Sequence, residues 1–201
     1  GIKNIIFDFG GVIINIDPKR TISALKELRL YRPEKLFSDL STTHLLNKFE
    51  LGLISDSEFI MFIKQNCAPE TQTLQIIQAW NAMLLDIPRQ RINLLKNLRK
   101  HYNIFLLSNT NHLHYTHYVV DFEKATGGIK FNHFFRKAYF SFEIKMRKPG
   151  IEIYKHVIDD QGLVPSETLF IDDSIENIDT AKMLNIKTHW LNEELTELFP
   201  I

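Results

Sequence analysis

The chain has 201 residues, 44% of them apolar, and its 24 Lys plus Arg balance 24 Asp plus Glu. That length suits one domain, or a core with a modest insertion. Zero formal charge without a long basic run argues against nucleic acid as the main partner, and no apolar stretch approaches the roughly 18 residues that cross a bilayer.

The chain opens without an initiator Met, as a processed or trimmed chain would. It runs straight into an apolar strand pattern at residues 5–7 rather than a secretion signal. Cys67, the single cysteine, has no internal disulfide partner. A reduced, cytoplasmic location is the expectation. Strand one ends in Asp8-Phe9-Gly10-Gly11-Val12, which sets a carboxylate at a strand tip with two glycines for close backbone approach. Asp8 reads as a nucleophile or metal ligand, with a simple turn Asp as the alternative.

From Pro18 to about Asp86 no good strand candidate occurs, only helix starts. Asp17-Pro18 offers an N-cap followed by proline in the first turn. Ser55 and Glu58 have capping-box spacing. Ala68-Pro69-Glu70 is expected to start another helix, and Pro88 a further one with Ile92, Leu94, Leu95 and Leu98 as its apolar stripe. Further strands are expected at 104–107, 138–142, 168–171 and 188–191, alternating with amphipathic stretches. That alternation implies a doubly wound, Rossmann-like α/β core with a mostly parallel sheet. The predicted division is a core of residues 1–16 and 87–201, with a small helical cap of 17–86 inserted after strand one.

In open parallel sheets ligands bind beyond the carboxyl ends of the strands, so the residues after each apolar run carry the interest. Strand two ends in Ser108-Asn109-Thr110-Asn111, four small side chains suited to gripping phosphate oxygens or to capping the next helix. In Arg147-Lys148-Pro149, Lys148 is held out of helix by the proline and can aim a charge into the cleft; an exposed basic turn is the plain reading. Strand four ends in Asp172-Asp173-Ser174, with Asn177 following; the adjacent carboxylates repel each other and invite a hard cation such as Mg²⁺. His112, His114 and His117 are expected on the surface or behind the site rather than as zinc ligands. Trp80-Asn81 falls where the insertion returns to the cleft, with Trp80 read as packing or as a face for a sugar. Phe131, Phe134, Phe135 and Phe140 read as core.

An Asp after strand one, a Ser after strand two, a Lys, and an acidic pair after a later strand form an ordered series. Asp8, Ser108, Lys148 and Asp172-Asp173 in that order resemble the motifs of the haloacid dehalogenase-like hydrolase superfamily, subfamily IA type. The resemblance spans essentially the whole chain, and the insertion with its Glu50-Leu51-Gly52-Leu53-Ile54-Ser55 segment resembles that family's helical cap. Ser108-Asn109-Thr110-Asn111 and Met146-Arg147-Lys148-Pro149 are similar to the α-D-glucose-1-phosphate phosphatase branch. The resemblance implies a Mg²⁺-dependent phosphatase acting on a small-molecule phosphate ester through an aspartyl-phosphate on Asp8, as a monomer or homodimer. It implies metal binding by Asp8, the Gly10 carbonyl, Asp173 and Asp172, the last directly or through water. It also implies that Ser108 and the Asn109 backbone hold the phosphoryl group while Lys148 neutralises charge.

One position departs from the pattern. The family's phosphatases carry a second Asp two residues after the nucleophile, as general acid and base; here it is Gly10. Another group, Asp17 or a cap residue, substitutes, or the leaving group needs little protonation, or the chain binds phosphate compounds and turns them over slowly. A 2-haloacid dehalogenase would also use Asp8, but the acidic pair favours phosphate chemistry, which has charge for a metal to balance. Fold alone leaves a regulatory binding protein or a scaffold open.

Overall fold

The computed structural model describes residues 1–30 and 33–200. Five strands, β1 (Asn4–Phe7), β2 (Asn103–Ser108), β3 (Lys137–Phe140), β4 (Thr168–Asp172) and β5 (Lys187–Trp190), form one sheet in the order β3-β2-β1-β4-β5. Every pairing is parallel, and β1 lies at the centre with Phe7 opposite Leu106 on one side and Ile171 on the other.

Side chains alternate between faces along a strand. Ile5, Phe7, Ile104, Leu106 and Phe140 enter one apolar cluster, while Ile6, Phe105, Leu107, Tyr139 and Phe170 enter another across the sheet. Both faces are therefore buried along β1 to β4, which explains their apolar runs, while the edge strand β5 stays partly exposed. The helices of the α/β part are α6 (Arg89–Leu98), α7 (His112–Thr126), α8 (Phe131–Phe134), α9 (Ser141–Ile144), α10 (Ile151–Gln161), α11 (Ile175–Met183) and α12 (Leu195–Leu198). Phe131, Phe134, Phe135 and Phe140 are core, as the sequence implies.

Among the described residues five helices precede these: α1 (Pro18–Glu27), α2 (Pro33–Thr42), α3 (Leu45–Glu50), α4 (Asp56–Lys64) and α5 (Thr73–Asn81). They close over their own cluster, with Phe59, Ile63, Ile76 and Trp80 buried in it and Leu113 of α7 reaching in. The chain leaves and re-enters the core side by side: Asn15 N–H donates to the Asp86 carbonyl at 2.9 Å, and Asp17 N–H to the Met83 carbonyl at 2.9 Å. The Asp17 and Ser55–Glu58 caps form as the residue spacing predicts.

Two expectations fail. Ala68-Pro69-Glu70 makes a turn, with Thr71 N–H bonded to the Ala68 carbonyl, and the helix starts at Thr73 instead. The Gln75 side chain accepts from Gln72 N–H at 2.8 Å, so a glutamine supplies the boundary that the proline was expected to mark. Strand three stops at Phe140 rather than 142, because Ser141 turns the chain and its hydroxyl bonds the Thr110 backbone on both sides, donating to the carbonyl and accepting from the N–H. Among the described residues no helix is long and apolar enough to cross a membrane.

Phe122 anchors the larger cluster. It is fully buried, stacks on Phe131 with centroids 4.0 Å apart and meets Phe134 edge-on at 5.4 Å. Phe122→Ala is expected to lower the unfolding free energy by about 3–5 kcal/mol, measured by denaturant titration, and Phe122→Leu by clearly less. Equal losses would show that the aromatic contacts, rather than the buried volume, carry the contribution of Phe122.

Candidate active site

The carboxyl ends of β1, β2 and β4 meet, and three chemistries meet with them. Asp8 follows β1 directly, its N–H bonded to the Ile171 carbonyl at 3.0 Å. Asp172 closes β4 and is fully buried; Asp173 follows it at the solvent edge. One oxygen from each of Asp8, Asp172 and Asp173 lies within 4.8 Å of the others.

Lys148 sits between them, 1% exposed. Its Nζ donates to Asp8 Oδ1 at 2.9 Å, to Asp172 Oδ2 at 2.8 Å and to the Leu107 carbonyl at 2.8 Å. An ammonium has three hydrogens, and all three are used. The exposed-turn reading of Lys148 therefore does not hold. Burial opposes its charge, but Asp8 and Asp172 outweigh that and hold the ammonium above its ordinary value. Burial pushes the Asp8 carboxyl up to about 8 against the pull of Lys148, and repulsion from Asp172 and Asp173 adds to the rise. Burial, then Asp172, also raises Asp173.

Asp172 is held on both oxygens. Oδ1 accepts from Ser174 N–H at 2.8 Å, and Oδ2 accepts from Asn177 Nδ2 at 3.0 Å besides Lys148. Gly11 lies in the left-handed region at φ 77°, and a Cβ there would stand 2.3 Å from Asp173 Oδ2, so only glycine fits beneath that carboxylate. Gly10 is different, since a Cβ there would meet only the Ile16 side chain at 3.5 Å.

With all three acids ionised, three carboxylates against one ammonium leave excess negative charge in a largely buried site, and the raised Asp8 and Asp173 carboxyls reflect that repulsion together with burial. The donors are hard oxygens with no thiolate or imidazole among them, the set that suits Mg²⁺.

The Ser108–Asn111 string divides between the two readings, with Asn111 capping the next helix as the cap reading expects. Ser108 is buried at the end of β2 and borders the cleft. The other three side chains are spent inside the protein. Asn109 clamps the Lys148 backbone, donating from Nδ2 to its carbonyl at 2.8 Å and accepting its N–H at 2.8 Å. Thr110 Oγ1 accepts from the Tyr118 hydroxyl at 3.1 Å. Asn111 Oδ1 caps α7 through His114 N–H and also accepts from Trp80 Nε1 at 3.2 Å.

The histidines separate. His112 pairs with Asp56 at 2.6 Å and His117 faces Asp121 at 3.9 Å, both well exposed. His114 is buried and stacked on Trp80; burial pulls it down to about 4, so it is neutral. Its Nε2 lies 3.1 Å from the Trp80 carbonyl, an acceptor, and therefore carries the hydrogen. Trp80 packs against Phe59 and borders the cleft at once.

A cavity of about 240 Å³ opens over Gly10 and Ser108, roofed by Glu50, Trp80 and Leu84 of the insertion. Asp17 does not border it. Sequence reasoning did not single out Glu50 or Tyr118, and Glu50 had a usable signal in the string 50–55. A second cleft of about 440 Å³, between Arg99 and Arg136 at the amino ends of β2 and β3, contains none of these residues.

This chain is similar to D-ribitol-5-phosphate phosphatase of Bacteroides thetaiotaomicron, 33% identical over 187 residues that cover 93% of this chain and 90% of that one. Its fold matches the HAD family enzyme BT-2542 of the same organism, solved in complex with magnesium and inorganic phosphate, with TM-score 0.89 and 40% identity over 99% of this chain and 100% of that one. A predicted HAD-like hydrolase from Porphyromonas gingivalis matches with TM-score 0.85 and 30% identity over 100% and 98% of the two chains. The family model described as haloacid dehalogenase-like hydrolase matches residues 2–185, and the chain belongs to the haloacid dehalogenase-like hydrolases.

Proposed function

We propose that the chain is a magnesium-dependent phosphatase of small sugar or polyol phosphates, working in two steps through an aspartyl-phosphate on Asp8. The observation that carries this reading is the meeting of three carboxylates around one buried ammonium. A haloacid site has no phosphate charge for such a set to balance, so the acidic cluster also favours phosphatase over dehalogenase.

Asp8 attacks phosphorus, and the leaving oxygen departs on the opposite side. Lys148 offsets the charge of the nucleophile and of the transferring group. The Ser108 hydroxyl and the Asn109 backbone N–H hold phosphoryl oxygens, while the Asn109 side chain keeps Lys148 in place. Asp8, Asp173 and the Gly10 carbonyl would hold Mg²⁺ with Asp172 behind them, and the bound ion supplies positive charge against the phosphate. Residues 17–86 act as a cap that closes over the cleft and excludes water. The single buried Cys67 fits a reducing, cytoplasmic setting.

On substrate, two lines differ in reach. The Ser108–Asn111 and 146–149 strings favour glucose 1-phosphate, whose anomeric oxygen leaves with little protonation. Similarity to a ribitol-5-phosphate phosphatase widens the class to primary alkyl phosphates, whose leaving oxygen needs a proton that Gly10 cannot give.

Asp8→Asn is expected to abolish p-nitrophenyl phosphate hydrolysis, and EDTA to abolish it in the unmutated protein with recovery on adding Mg²⁺. Turnover surviving both treatments would sink the proposal. Gly10→Asp has room to fold and is expected to raise kcat on ribitol 5-phosphate by tenfold or more, within the ~10²- to 10⁴-fold range of a positioned general acid, while leaving glucose 1-phosphate turnover nearly unchanged. An unchanged kcat on both esters would place the proton source elsewhere.

A further inference from the structure

The insertion presents one carboxylate to the cleft. Glu50 ends α3 and borders the same cavity as Gly10 and Ser108. Its Oε2 accepts from Arg147 Nη2 at 2.8 Å and from Arg147 Nε at 3.1 Å. Among the described residues its Oε1 accepts nothing from the protein, although the side chain is only 16% exposed. Arg147 directly precedes Lys148, so the segment that sets the ammonium on Asp8 also sets the guanidinium on Glu50. Much of the remaining wall is apolar, including Ile14, Ile16, Met83 and Leu84, and His114 is neutral. Among the described residues Glu50 is the one charged side chain on that cavity.

An ion-paired carboxylate accepts hydrogen bonds and donates none. Set in an apolar wall, it rewards hydroxyls and repels anions more strongly than it would in water. Resting on the phosphatase reading above, we infer that Glu50 is the specificity-determining residue for the leaving group. It accepts from the hydroxyls of a polyol or sugar moiety and rejects esters that carry a carboxylate or a second phosphate. Arg147 is a positioning residue that leaves Oε1 free to face the substrate.

The test compares ribitol 5-phosphate with 3-phosphoglycerate. The unmutated protein is expected to prefer the polyol ester in kcat/KM. In Glu50→Gln, KM for ribitol 5-phosphate should rise and KM for 3-phosphoglycerate should fall, so that the preference drops about 10- to 100-fold. Arg147→Met should raise KM for ribitol 5-phosphate by loosening Glu50 while leaving 3-phosphoglycerate rejected, since the bared carboxylate still repels anions, and Arg147→Lys should restore part of the ribitol 5-phosphate KM. A merely structural role would weaken both esters by one factor; that result, or no change, overturns the inference. Binding of both esters to the magnesium-loaded Asp8→Asn protein, with and without Glu50→Gln, separates this from the parent reading. Preference in binding without hydrolysis by the unmutated protein fails the phosphatase and keeps the Glu50 assignment. Hydrolysis of both esters without preference fails only the Glu50 assignment, and binding of neither overturns both.

Discussion

The site depends on a charge that cannot be left alone. A lysine removed from water must find partners for all three of its hydrogens, and breaking a buried pair by deleting one partner typically costs about 3–5 kcal/mol. Lys148 solves this with Asp8, Asp172 and the Leu107 carbonyl, which lie at or just beyond the ends of three adjacent strands. The ammonium thus ties β1, β2 and β4 at their carboxyl ends. The solution is incomplete by design, because Asp173 adds a third carboxylate that Lys148 does not neutralise. The resulting excess of negative charge is the physical reason a divalent cation belongs there.

Around that knot the other polar residues act as supports. Asn109 grips Lys148 by its backbone, Asn177 and the Ser174 N–H grip Asp172, and Gly11 makes room for Asp173. These contacts lie outside the ladder hydrogen bonds of the sheet. Each narrows the freedom of a side chain that chemistry would use, which is how a positioned site differs from a cluster of acids.

The sheet was legible in the sequence because both of its faces are buried along β1 to β4. The strands β1, β2 and β4 are short apolar runs, and polarity returns abruptly where each ends, so Asp8, Ser108 and Asp172 stand out at the boundaries, whereas the edge strand β5 is mostly polar and partly exposed. What the sequence hides is where small polar side chains point. Asn109, Thr110 and Asn111 look alike as potential phosphate ligands, yet each bonds to another part of the protein. Asn109 and Asn111 reach partners 39 and 31 residues away. Glu50 and Arg147 lie 97 residues apart, and no local pattern joins them. The misplaced helix start after Ala68 has a local cause: Pro69 permits a helix, but the Gln72–Gln75 cap fixes where one begins.

The insertion has a private apolar core yet touches the α/β part through many polar contacts. Besides Arg147 on Glu50, Lys145 Nζ donates to the Gly52 carbonyl at 3.0 Å, His112 meets Asp56, and Trp80 donates to Asn111. Leu113 is the buried apolar residue of α7 shared between the two. Exposed polar pairs are each worth about 1 kcal/mol or less, whereas burying a large apolar side chain is worth about 1.5–3 kcal/mol. The contacts at Lys145, His112 and Arg147 lie nearer the former, whereas the buried Trp80–His114–Asn111 group and Leu113 hold the insertion to α7 more firmly. Two short chain segments at 15–17 and 83–86 carry the connection, and they are bonded to each other, so motion there need not disturb β1. On the proposed reading, the same division of labour would place the phosphate chemistry on the strand ends and the reading of the leaving group on the insertion.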